Sequence, residues 1–113
     1  MSDIKYKNAS YGELSIGLGL KAAVLVVDFQ VGFTNPEYTL GKSEHIHKAV
    51  KKTSSLLDFA RKINLPVASC RVGWGSKEDM GYWKIGSLYE GWFYNDPQTK
   101  MDERVYDKSY DFN

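Results

Sequence analysis

Six small or branched apolar residues, Ala22 to Val27, run unbroken into Asp28. A run of this kind favours β structure. Because it is continuous rather than alternating, it predicts a strand covered on both faces, as in a parallel sheet. It is far too short to span a bilayer. It also ends on an acid, which a buried strand does not carry without a use for it, since burying a carboxylate unpaired is costly. Any fold proposed for the chain must therefore explain what Asp28 does at the end of its first strand.

The residues that follow supply the rest of a β–loop–α–β unit. "GFTNPEYTLG" reads as a loop from its Gly, Asn and Pro content. From Ser43 the period changes: Ile46, Ala49, Val50, Thr53, Leu56, Leu57, Ala60 and Ile63 recur at spacings of three and four, with Lys48, Lys51, Lys52, Asp58 and Arg61 mainly opposite. Ser43 is the predicted N-cap, Glu44 suits the positive first turn, and Asn64 before Pro66 is the predicted left-handed stop. Residues 44–63 should thus be an amphipathic crossover helix. Residues 66–72, "PVASCRV", read as the second strand, parallel to residues 22–27 with a right-handed crossover. Residues 73–103 carry all three Trp and show no clean period, and a stretch this long in a compact domain is usually functional. Residues 104–107 read as a short third strand ending at Lys108. The first 20 residues read as an irregular or partly helical arm.

The whole chain, residues 1–113, fits one domain or part of one. Its net charge of +1 gives no electrostatic case for nucleic acid or an anionic membrane. The N-terminus, "MSDIKYKNASYGEL", lacks the apolar core of a signal peptide. The single cysteine, Cys70, cannot form an internal disulfide. A cytoplasmic protein is the expectation. Cys70, in the middle of a predicted strand, is expected to be a buried small hydrophobe rather than a nucleophile.

In an open α/β sheet, sites form beyond the carboxyl ends of the strands. Asp28 and Lys108 are both predicted there, where a lysine would hold the acid ionised and the pair could activate a nucleophile or a water. A purely structural ion pair is the competing reading. His45 and His47 stand two apart at the start of the helix, where they point in different directions and cannot share a metal. Neither a metal nor a cofactor is expected, and neither GxGxxG nor a P-loop follows a strand.

These residues also carry a resemblance. "AAVLVVDFQVGFTNP" is similar to the opening strand of the isochorismatase-like cysteine hydrolases, most of all the branch resembling N-carbamoylsarcosine amidohydrolase. "LLDFARKINLPVASCRV" and "VYDK" resemble later segments of that family in order and spacing, so that the likeness covers roughly residues 15–110. It implies a three-layer, Rossmann-like α/β fold with a parallel sheet, of which this chain is the N-terminal half. It also implies cleavage of a C–N bond in a small amide or carbamoyl compound by a Cys nucleophile, with Asp28 as general base and Lys108 orienting it and stabilising charge. Phe33, Trp74 and Trp83 are assigned to substrate contact, with packing of the aromatic segment onto the sheet or an oligomer interface as the alternative. The metal-binding Asp and His set of the nicotinamidase branch has no counterpart in "RVGWGSKED", which contains no His.

The family's nucleophilic Cys belongs to a later strand–helix element that this chain does not contain, and "SYDFN" stands where the family's "SAF" would follow Lys108. The expectation is therefore a homo- or hetero-oligomer in which a second piece supplies the Cys and covers the open side of the sheet. A non-catalytic half-domain that binds or scaffolds a partner chain is the alternative.

Overall fold

The computed structural model describes Ser10 and residues 14–112. The apolar run forms β1 (Val24–Val27), and a single helical turn, α1 (Val31–Thr34), follows it within the segment expected to be loop. The crossover helix is α2 (Glu44–Lys62), and it returns the chain to β2 (Val67–Cys70). β1 and β2 are parallel, with Val24 opposite Val67 and Val27 opposite Cys70. β1 begins two residues later than the apolar run suggested and ends where expected, whereas β2 is shorter at both ends. The architecture is mixed α/β around a small two-stranded parallel sheet.

Helix α2 begins and ends where the sequence places its boundaries. Ser43 has the extended backbone of an N-cap, although its side chain makes no capping hydrogen bond, and Asn64 takes the left-handed conformation at φ 62°. Val50, Leu57 and Ala60 of α2 pack on Val26 and Val67 of the sheet and on Val105. The C-terminal turn is held against the same helix by Arg61, which donates from Nε and Nη2 to the two carboxylate oxygens of Asp111 at 3.0 and 2.6 Å. Asp111 also accepts from the Asp107 N–H at 2.9 Å.

The expected third strand at residues 104–107 is not there. Glu103–Val105 is a 3-10 turn, started by Asp102, whose carboxylate accepts from the Arg104 N–H. A local side-chain acceptor for that backbone donor offers the segment an alternative to a sheet ladder. The outer edge of β2 is met instead by one parallel bridge from Phe112 to Ala68, with Ser69 N–H donating to the Phe112 carbonyl at 2.7 Å.

The expectation that the first strand is covered on both faces also fails. Val26 is buried under α2, but Leu25 and Val27 remain 64% and 51% exposed, because no element among the described residues packs on the opposite face. Cys70, the register partner of Val27, shares that bare face and is exposed, contrary to the expected buried thiol.

The aromatic segment is structured rather than loose. Trp74, Met80, Leu88 and Trp92 form a second core cluster through α3 (Lys77–Met80) and the 3-10 turn Gly86–Tyr89, and Trp74 and Phe93 are joined by a parallel bridge. Gly32 in α1 allows the close approach that docks this cluster, since a Cβ there would lie 2.6 Å from the Trp92 ring. Among the described residues no helix is long and apolar enough to cross a membrane.

Candidate functional site

The carboxyl ends of β1 and β2 converge on Gln30, a residue that the sequence reading passed over. Gln30 is fully buried. Its side-chain amide donates to the Val72 carbonyl at 2.7 Å and the Thr99 carbonyl at 3.0 Å, and its oxygen accepts from the Val72 N–H at 2.8 Å. One side chain thus ties the exit of β1 to the exit of β2 and to residues 99–102. Those residues add two backbone bonds of their own, from Val31 N–H to the Lys100 carbonyl and from Asp102 N–H to the Phe29 carbonyl. A polar residue three positions after the end of an apolar strand was the available signal, because a polar group held at a buried edge must find partners.

Asp28 sits at this junction in a backbone conformation that a non-glycine residue rarely adopts, φ 61°. Its N–H donates to the Cys70 carbonyl at 3.0 Å, and its carbonyl accepts from the Gln30 N–H at 2.8 Å. The strain is held in place by the ladder before it and the Gln30 clamp after it. Such backbone outliers cluster at functional sites, and here the outlier belongs to the acid proposed for chemistry. The carboxylate is exposed and borders an apolar depression of about 280 Å³ lined by Val27, Phe29, Phe33, Thr34, Ile46 and Ala49.

Of the aromatic residues assigned to substrate, Phe33 reaches this depression. Its ring also stacks on Trp92 with centroids 4.2 Å apart. Trp74 and Trp83 do not line it. They pair edge to face with centroids 5.4 Å apart, Trp74 buried in the second core and Trp83 pinned by its indole N–H to the Met80 carbonyl at 2.6 Å.

Lys108 is exposed in the turn after Tyr106 and Asp107, and it lines a different, wider depression of about 920 Å³ together with Arg61, Arg71, Lys100 and Arg104. Among the described residues the ion pairs are Arg61 with Asp111 and Arg104 with Asp102, so Asp28 and Lys108 form none with each other. Burial acts to raise the Asp102 carboxyl, but hydrogen bonds from the Arg104 guanidinium and N–H outweigh it and hold the group below its ordinary range. No group of three or more His, Cys, Asp or Glu side chains that could hold a metal is found among the described residues. His47 is engaged with the Gly41 carbonyl at 2.8 Å.

The side of the molecule next to Asp28 is open. Val24 and Asp28 direct their N–H groups to β2, so the alternation of a parallel ladder turns the N–H and C=O groups of Leu25 and Val27 to the outer edge of β1, where no strand lies among the described residues. Ala49 and Leu56 of α2 and Ile63 at its C-cap are seven residues apart and form one row along the helix, with Phe59 beside it. Ala49 borders the Asp28 depression, so this row runs along the β1 side, and Leu56, Phe59 and Ile63 are about half exposed. Open strand edge, bare sheet face and bare helix flank are contiguous.

Compared with models of known protein families and with curated proteins, the chain matches none.

Proposed function

We propose that this chain is the N-terminal half of a three-layer, Rossmann-like cysteine hydrolase of the isochorismatase-like kind, cleaving a C–N bond in a small amide or carbamoyl compound. The observation that carries the reading is the open side of β1 beside Asp28. A strained, pre-positioned acid stands at the edge of an unfinished parallel sheet whose apolar surface needs a cover. The cover is a second piece, either a separate polypeptide or further sequence, that brings the nucleophilic Cys.

In the assembled site Asp28 takes the thiol proton as the thiolate attacks the substrate carbonyl carbon. A C–S bond forms, the C–N bond breaks, and the amine leaves with a proton. Water then cleaves the thioester, releasing the acid and restoring the thiol. Covering the side of β1 removes water from around Asp28 and the reacting carbonyl, which shields the thioester from premature hydrolysis. Lys108 contributes a positive charge that stabilises the developing oxyanion or orients Asp28 once the second piece orders the carboxyl edge. The aromatic residue that contacts substrate is Phe33, with Trp74 and Trp83 supporting the wall behind it.

The test is turnover of N-carbamoyl amino acids and simple primary amides by the assembled protein and by its Asp28→Asn form. The substitution keeps the shape and removes the base, so acylation should slow by about 100-fold or more with little change in binding. Assembly without hydrolysis of any such compound would favour a scaffolding half-domain instead.

A further inference from the structure

We infer that the free 113-residue chain forms a two-fold symmetric dimer through the outer side of β1. The inference rests on reading that side as a docking side, and it identifies what occupies the side when no complementary piece is present. Two separate features need cover. The first is the open side already described, with the outward backbone groups of Leu25 and Val27 and the apolar flank of Leu56, Phe59 and Ile63. The second is the segment of residues 14–20, "LSIGLGL", which carries no charge and places Leu14, Ile16, Leu18 and Leu20 at alternate positions. All four are essentially fully exposed, and no backbone hydrogen bond ties residues 14–23 to the rest of the described chain.

A second copy satisfies both at once. A two-fold axis normal to the sheet at the outer edge of β1 joins the two β1 strands antiparallel and makes one four-stranded sheet in the order β2–β1–β1–β2. Both α2 helices then lie on the same face, with their apolar flanks turned towards each other across the axis. The antiparallel pairing sets the N-terminal end of each β1 beside the C-terminal end of the other. Each arm therefore leaves its strand next to Asp28 of the second copy, within reach of that copy's apolar depression.

The surface available suits a stable contact. At roughly 100 Å² for each fully exposed aliphatic side chain, the arm and the helix flank offer about 550 Å² of apolar surface per copy, to which the paired backbone of β1 adds towards the roughly 800 Å² per partner of a specific interface. The edge lacks the Pro, charge or bulge that would block pairing. A closed two-fold contact leaves no further β1 edge to propagate a fibre. The same contact excludes the complementary piece, so assembly of the hydrolase and self-association compete for one side.

Sedimentation velocity and amide hydrogen exchange on the free chain test this. The expected result is a dimer at tens of micromolar that dissociates on dilution, with protection of the Leu25 and Val27 amides appearing only where the dimer does. Phe59→Glu, which places like charges across the axis, should shift the dissociation constant at least 10-fold towards monomer while circular dichroism stays unchanged. A chain still monomeric at 100 µM would overturn the inference and reserve the side for a different polypeptide, leaving the hydrolase reading intact. A dimer whose Leu25 and Val27 amides exchange as fast as those of the monomer, or a species that grows without closing, would overturn it as well.

Discussion

Gln30 serves three buried or part-buried backbone groups at once, and so it governs the geometry on which Asp28 depends. Gln30→Leu keeps most of the volume but strands those groups, and it should cost about 3 kcal/mol in a urea titration. A loss below about 1 kcal/mol would show that the clamp is not what holds the carboxyl edge. Asp102 gives the pH dependence a definite sign. Its carboxyl is held below the ordinary value of 3.8 by Arg104, so the stability it supplies is present above that value and is lost as pH falls through the lower, folded-state value. Acid unfolding of the parent should steepen below about pH 4, and Asp102→Asn should flatten that limb while lowering stability at pH 7. Cys70 makes a third case at this scale. In the free chain, with its face bare, its thiol should react with a disulfide reagent at close to the rate of the denatured protein. Covering of that face by a partner should slow it at least 10-fold.

At the scale of elements, the sequence was most legible where period, cap and stop all agreed. Helix α2 has apolar spacing, an acid in the first turn and a left-handed Asn64, and it begins and ends within a residue of expectation. The parallel pairing of β1 with β2 followed from two β-prone runs joined by a helix, which leaves no room for a hairpin. Residues 104–107 misled because β-prone Val105 and Tyr106 outweighed, in the reading, the short-range competition from Asp102, which captures the Arg104 N–H and winds the segment into a 3-10 turn. The aromatic stretch had no readable period because its packing runs through short turns and one bridge rather than through regular elements, so Trp74 gave no sign of being core. The strand end at Asp28 was legible from the sequence, whereas the polar residue after it only hinted at the role of Gln30, because nothing short of the fold shows which three segments meet around it.

At the scale of the whole molecule, a contiguous apolar surface is left uncovered among the described residues. The continuous run in β1 asked for two covers and has one among the described residues, and the apolar arc of α2 is wider than the two strands beneath it. Both surpluses lie on the side where Asp28 ends the strand. The central claim is that a second piece completes this side and places a cysteine against Asp28. Its most direct test is intact-mass analysis, after brief iodoacetamide treatment, of the protein isolated under native conditions from its own cells, with Asp28 present and with Asp28→Asn. The account predicts that a single cysteine outside residues 1–113, on a polypeptide bound one to one or on a continuation of this chain, is alkylated at least 10-fold more slowly when Asp28 is replaced. Isolation of residues 1–113 with no further sequence bound, or a cysteine whose alkylation ignores Asp28, would contradict it.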